Sequence, residues 1–461
     1  MKYVIEQERK VPIWGEFDVI VCGGGPGGIG AAISAARNGA KVLLIERNSF
    51  LGGTATASLV PVFLIALDKV SGFAKELMVD LVADGGARAG IIFSFDPEIF
   101  KEKSLNKLLE AGVQPLFYTQ VCSPIIEKER IVGVITESKS GRGVFLSNIV
   151  IDATGDGDIA ASSGVPYILG REEDGKMKPV TLIFRLGNID FNSLINYAQN
   201  NPQDFTRASC RHVINIENKL IRIIGFFSLV QKAKERGDLN NNRDCHYLRI
   251  EGVQLDRGIA FINSTRVYGI DGTNAFQLTQ AEITARVQMK ELLNFIKNYI
   301  PGCQNTYLID SAPHLGVRET RHIQGQYVLS EKDISDKVKF IDSVAKIWRH
   351  HLIGHPMHSP DAGEGAPTDY IQRNLLIPAR DFQVPYRCLV PQKISGLLLA
   401  GRCISVTHDA DPWTRGMFSC LTFGQVAGTA AFLSCEKKVN PKEVNVEELK
   451  NLLNSQEVVI E

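Results

Sequence analysis

Two uninterrupted apolar runs, Val19-Ile20-Val21-Cys22 and Val42-Leu43-Leu44-Ile45, stand near the start of the chain. Apolar residues at consecutive positions are what a parallel strand covered on both faces requires. Between the runs, Gly27 to Asn38 carries Ala and Ile at helical spacing, and Gly39 stands where a helix would stop. The stretch predicts strand, helix, strand. From Pro115 to Ile151 the pattern shortens. The runs Leu116–Val121, Ile131–Thr136 and Val144–Ile151 are separated by charged or glycine-containing turns and predict an antiparallel meander. The middle, about Ala161 to Pro385, mixes strand-like pieces such as Val180–Leu186 with helical ones. Its clearest helix is Leu278 to Tyr299, ahead of Pro301-Gly302. After Pro391 the chain returns to a buried strand, Leu397–Ala400, and to a Gly/Ala-rich helix opening near Gly416. The order predicts an α/β protein. Residues 1–160 and 385–461 form one domain, and an α+β domain, residues 161–384, is inserted between them.

The length of 461 residues fits such a division, at roughly 100–200 residues per domain. Lys and Arg number 51 against 51 Asp and Glu, and no basic run occurs, so charge offers no reason to expect nucleic acid or an anionic membrane surface. Met1 to Lys10 lacks the apolar core of a signal peptide, and runs such as Ile223–Val230 fall far short of the ~20 residues that a membrane span needs. The 9 cysteines are an odd number without a C-x-x-C, which argues against an iron–sulfur cluster, structural zinc or a disulfide framework. Reduced thiols in the cytoplasm are the expectation.

Glycine changes the picture. Gly23-Gly24-Gly25-Pro26-Gly27-Gly28 is a G-x-G-x-x-G that follows the first strand and opens the first helix, and the second strand ends at Glu46. In that position Gly23 permits a tight turn, Gly25 lets backbone approach a pyrophosphate, and Gly28 allows close packing of helix on strand. The helix N-terminus offers free N–H groups and a favourable dipole to the phosphates. An acid at Glu46 accepts ribose hydroxyls and favours FAD or NAD over NADP. Two further glycine sites, Leu51-Gly52-Gly53-Thr54-Ala55-Thr56 and Ala153-Thr154-Gly155-Asp156-Gly157-Asp158, favour FAD, because they bring more backbone against a long ligand.

With these motifs the chain resembles the FAD-dependent oxidoreductases of the glutathione-reductase-type superfamily, in the branch shared with succinate dehydrogenase and fumarate reductase flavoproteins. It is similar, more narrowly, to the bacterial FAD-dependent oxidoreductase family. Leu278-Thr279-Gln280-Ala281-Glu282, Leu315 to Arg321, Leu399 to Ser405 and Gly424 to Ala431 also carry the likeness. The resemblance implies an FAD-binding Rossmann-like domain of parallel sheet, helices and β-meander, with FAD in an extended pose. It places Glu46 and Arg47 at the adenosine ribose and Val121 at the adenine. Gly52, Gly53 and Thr54 would lie near the ribityl chain and flavin, and Gly401 and Arg402 at the phosphate–ribityl region. Ala153, Thr154, Gly155 and Asp158 belong to the same ligand wall. Many relatives carry Gly-Asp where this chain has Gly401-Arg402, which changes the local charge. The helix opening near Gly416 would face the flavin. The Leu51–Thr56 segment holds no His, so noncovalent FAD is expected, and no second G-x-G-x-x-G unit or dithiol suggests a disulfide reductase.

The substrate is expected to be a small organic molecule. His408 and Arg415, in the loop before the flavin-facing helix, are candidates for catalysis, and His408 is equally a loop hydrogen bonder. Arg318, with Arg321 across Glu319, suits either an acidic or hydroxylated substrate or a buried ion-pair network. His350, His351, His355 and His358 cluster without a known zinc spacing, so no metal is expected. An FAD-binding protein without turnover is the rival reading. Neither the electron partner nor the oligomeric state follows from the sequence.

Overall fold

The computed structural model describes residues 8–90, 92–205, 221–241, 245–349 and 380–461, together with Val4, Glu6 and Pro360. The four clustered histidines, His350, His351, His355 and His358, lie outside the described residues. A seven-stranded sheet runs Gln114–Leu116, Val42–Ile45, Ile13–Cys22, Gly141–Asp152, Arg130–Ser138 and Gln120–Glu127, with Leu397–Leu399 pairing on Gly141–Asp152. Ile13–Cys22 is parallel to both Val42–Ile45 and Gly141–Asp152. The apolar runs are fully buried, as strands covered on both faces should be. Gly141–Asp152 joins the parallel part to the meander: it pairs antiparallel with Arg130–Ser138 and parallel with Leu397–Leu399. Residues near both ends of the chain thus complete one sheet.

The sequence run Leu116–Val121 straddles two strands rather than forming one. Leu116 ends the parallel strand beside Val42–Ile45, and the meander begins at Gln120. Tyr118, exposed and at positive φ, makes the turn between them, so the backbone and not the apolar pattern sets the break.

The helix Pro26–Arg37 lies against the long helix Met417–Lys437, and small residues decide how closely. A Cβ on Gly424 would come 2.1 Å from the Gly27 carbonyl oxygen, and one on Gly428 would come 2.2 Å from that of Ala31. The Gly-x-x-x-Gly spacing therefore serves helix contact. Met417–Lys437 is long and apolar enough to cross a membrane by length and composition, yet nearly all of it is buried between the sheet and its partner helix.

A second, five-stranded antiparallel sheet runs Ile221–Gly225, Leu248–Gln254, Ile259–Ile262, Phe184–Gly187 and Tyr307–Ser311. Strand alternation sorts its residues. Ile223, Leu248, Ile250, Ala260 and Ile262 enter an apolar core with the helices Phe191–Asn200 and Ala275–Tyr299. Arg222, Arg249 and Glu251 alternate with them and are buried on the other face. The long helix starts at Ala275, one turn before the expected Leu278, because Asn274 caps the backbone of Phe276 and Gln277.

Candidate cofactor and substrate site

One long cavity lies between the two sheets, and the glycine turns form one of its walls. Gly23, at φ +109°, could not be replaced: a Cβ there would meet the Ala153 carbonyl oxygen at 2.5 Å. At Gly25 a Cβ would find nothing nearer than the Gly53 Cα at 3.9 Å, so this backbone faces open space. Gly25 is the N-cap of Pro26–Arg37, Pro26 occupies the first turn, and no side chain caps the helix, which leaves its N–H groups for a ligand. Gly416 likewise caps Met417–Lys437 without a side-chain bond, and Arg415 to Phe418 line the same cavity. Close packing of the two helices brings both N-termini to one ligand wall.

Glu46 is buried. Its carboxylate accepts from the Gly24 backbone N–H at 2.6 Å and from the Asn48 backbone and side-chain N–H groups at 2.8 Å. It therefore ties the glycine turn to the end of the second strand as well as bordering the cavity. Arg47, Thr119, Gln120 and Val121 complete that end. Opposite the first turn, Asp152 fixes Ala153-Thr154-Gly155. Its carboxylate accepts from Thr154 N–H (3.1 Å) and hydroxyl (2.7 Å), Ile159 N–H (3.0 Å) and Ala160 N–H (2.8 Å). Burial pushes this carboxyl above its ordinary range, against those bonds. Arg402 reaches back to Asp156 (2.9 Å), and its other terminal nitrogen, Nη1, is buried with no hydrogen-bond partner among the described residues.

Of the residues singled out from the sequence, the cavity gathers Gly23, Gly25, Pro26, Gly27, Glu46, Arg47, Gly53, Thr54, Val121, Ala153, Thr154, Gly155, Asp158, Arg318, Gly401, Arg402 and Arg415. Gly28 and Gly52 stand behind the wall. A Cβ on Gly28 would lie 1.8 Å from the Gly23 carbonyl oxygen, and the Gly52 N–H donates to that of Gly24 at 2.9 Å.

His408 is not among the cavity-lining residues. Its ring Nδ1 is 2.6 Å from Glu319 Oε1, which also receives His322 Nε2 and Lys178 Nζ, both at 2.8 Å. Lys178 continues to Asp411 (3.1 Å), and Asp411 to Arg415 (3.4 Å). Burial opposes the charge of Glu319, but the bonds from His322 and His408 and the charge of Lys178 hold its carboxyl far below the usual range. Glu319, His322 and His408 lie close enough together to share a metal ion. The Lys178 ammonium, however, already sits on the same oxygen, so the group is an ion-pair network. It buttresses the loop that carries Arg415. Arg321 donates to the Asp156 backbone carbonyl (2.8 Å) and the Asp158 carboxylate (2.7 Å), and Arg318 donates to the Pro179 carbonyl while facing the cavity.

Among the lining residues that the sequence reading did not single out are Arg249, Asn263 and His314. The alternation Leu248-Arg249-Ile250-Glu251 marks a strand with one charged face but not that this face is buried. His314 is held by its own backbone on Ala57 (3.0 Å); burial, then the charge of Arg47, lowers its pKa from the ordinary histidine value.

Residues 18–453 match the family described as FAD dependent oxidoreductase. The chain belongs to that family. Among curated relatives it is 30% identical to thiamine thiazole synthase of Aeropyrum pernix over 34% of this chain and 65% of that protein. It is 31% identical to the aerobic glycerol-3-phosphate dehydrogenase of Staphylococcus saprophyticus over 26% of this chain and 20% of that protein. The chain thus spans less than two thirds of either relative. The myxobacterial chondrochloren halogenase, a variant of FAD-dependent halogenases, shares the fold at 13% identity and a TM-score of 0.50, covering 95% of this chain and 78% of that one.

The residues of this FAD-dependent oxidoreductase suit its cofactor. The open backbone at Gly25, the two uncapped helix starts and the buried Nη1 of Arg402, without a partner among the described residues, are donors that a dinucleotide with a pyrophosphate would use.

Proposed function

We propose that this FAD-dependent oxidoreductase holds its FAD noncovalently and works as a dehydrogenase or reductase, exchanging a hydride with a small organic substrate. The order of strand, G-x-G-x-x-G, Gly52-Gly53, Ala153-Thr154-Gly155 and closing helix supports the finer assignment to the glutathione-reductase-type superfamily. Within it, the same order favours the branch shared with succinate dehydrogenase and fumarate reductase flavoproteins. FAD, when bound, supplies the hydride acceptor or donor.

The observation that carries the reading is that one cavity has two walls of different origin. Glycine turns and helix starts form one, and Thr181, Ile183, Asn263 and the loop His314–Arg318 form the other. A substrate on the second wall faces a cofactor on the first. This protein's residues orient both. The uncapped start of Met417–Lys437 stabilises negative charge that builds up beside it on reduction. The buried thiols of Cys22, Cys303, Cys388 and Cys403, in no disulfide among the described residues, favour a cytoplasmic setting.

The test is anaerobic mixing of the purified holoenzyme with small organic compounds while flavin absorbance is followed. Bleaching by one of them, with a matching oxidised product, supports the reading. A flavin that no compound bleaches, and that when reduced chemically passes its electrons to none, would leave only a binding role.

A further inference from the structure

The charges around the cavity are unevenly divided. Its acidic lining residues are Glu46, Asp156 and Asp158, all on the glycine wall or the turn beside it. Three of its arginines, Arg249, Arg318 and Arg415, come from elsewhere: the second sheet, the loop after His314 and the start of the closing helix. Among the described residues no carboxylate lines the cavity beside those three.

Among the described residues, the carboxylates behind these arginines are shared with other cations. Glu251 serves both Arg249 (2.5 Å) and Arg222 (3.5 Å). Asp411 serves both Arg415 and Lys178. Among the described residues Arg318 has no carboxylate partner and donates to a carbonyl, and Arg266 behind it also bonds carbonyls, that of Thr265 at 2.6 Å. Burial, and then the charges of Arg266, Arg415 and Arg249, force Arg318 well below the ordinary arginine range; burial and Arg249 push Arg222 down to about 9. Buried cations that share too few anions are costly unless a ligand brings another. Guanidinium forks match planar or tetrahedral oxyanions, and at a buried site such bonds are strong and selective.

We propose that the substrate is a small organic anion whose carboxylate or phosphate group is held by Arg318, with Arg249 and Arg415 beside it. The proposal rests on the redox reading above and adds the charge class of the substrate. It assigns a specificity role to Arg249, on the strand Leu248–Gln254, where alternation places it opposite the apolar core. The strand's buried charges thus belong to the site and not to the core.

The experiment uses the FAD-loaded enzyme and three probes at constant ionic strength: malonate, its neutral analogue malonamide, and inorganic phosphate. Flavin absorbance and thermal midpoint are the readouts. The expected result is a saturable absorbance change and a raised Tm with malonate or phosphate and neither with malonamide. Whichever anion binds more tightly identifies the group as carboxylate or phosphate. Arg318→Gln should weaken that binding by about 10- to 100-fold with FAD content unchanged, and Arg318→Lys should recover part of it. Equal effects of malonate and malonamide, no effect of either anion, or wild-type binding by Arg318→Gln would overturn the proposal. Should Arg318→Gln fail to fold, the comparison of malonate with malonamide on the wild type still decides. Anions that bind while no organic anion bleaches the flavin would defeat the redox reading and leave the anion site. Bleaching by a neutral compound without anion binding would do the reverse.

Discussion

The two walls of the cavity use different parts of the amino acid. On the cofactor wall the groups offered to a ligand are largely backbone: the turn Gly23 to Gly27, the Gly53 segment, Ala153 to Gly155 and two uncapped helix starts. On the wall proposed for the substrate they are side chains, chiefly Arg249, Asn263 and Arg318, with Arg415 at the helix start tied to a buried ion network. A backbone wall tolerates almost no added atoms, whereas a side-chain wall tolerates exchange at a cost set by charge. Substitutions on the first should cost folding or cofactor, and substitutions on the second should change substrate while FAD stays.

The largest effect should come from Gly424→Val, whose side chain would run into the Gly27 carbonyl and force the two helices apart. A loss on the order of 3 kcal/mol or more is expected, seen as insoluble or unfolded protein. Gly25→Val sharpens the contrast. A Cβ there has room, and the protein should fold with a normal circular dichroism spectrum and lack flavin. A folded, yellow Gly25→Val protein would show that the cofactor does not lie on this wall.

Next comes Glu319→Gln. Removing the one anion that His322, His408 and Lys178 share should cost about 3–5 kcal/mol in denaturant unfolding, as for other broken buried ion networks. The pH dependence follows from the same carboxyl. Its folded pKa lies below the ordinary 4.5, so the unfolded chain takes up the proton first. The stability it contributes is present above about pH 4.5 and is lost as pH falls below that value. A wild-type Tm that drops through this range, with a shallower drop in Glu319→Gln, is the expected pattern.

Glu46→Ala should then lower FAD affinity by about 10- to 150-fold, equivalent to 1.5–3 kcal/mol, measured by titrating apo-protein with FAD. Part of that loss belongs to the Gly24 and Asn48 N–H groups that Glu46 organises. The smallest effect distinguishes the two histidines. His408→Ala should lower Tm by a few degrees and leave flavin reduction at saturating substrate near wild type, whereas His314→Ala should leave Tm alone and shift the reaction's pH profile. A His408→Ala enzyme of normal stability whose flavin reduces 10²–10⁴-fold more slowly would instead make His408 an acid–base group.

The same division explains what the sequence made legible. Backbone sites demand glycine at fixed places between a strand and a helix, and Gly23, Gly25 and Gly155 announce themselves in one dimension. The apolar runs at Val19 and Val42 announce the sheet for a similar reason, since burial on both faces leaves no room for polar residues. The substrate wall carries no such mark. Arg249 meets Arg318 only because distant strands and loops fold together, and an arginine beside a glutamate reads equally as surface. The sequence also left the direction of the His408 ring open. Its loop precedes the helix Met417–Lys437, but the ring turns toward Glu319, a contact across 89 residues of sequence. The break at Tyr118 was hidden because a single positive φ leaves no trace in an apolar pattern.

The most direct measurement for the central claim is acid precipitation of the purified yellow protein, with the flavin quantified in supernatant and pellet. The account predicts a single FAD per chain, all of it in the supernatant. Flavin retained in the pellet would contradict noncovalent binding and point to Cys420 or His314, which line the cavity, as the attachment point. Protein carrying only NAD, or no nucleotide after reconstitution with FAD, would contradict the assignment of the glycine wall to FAD.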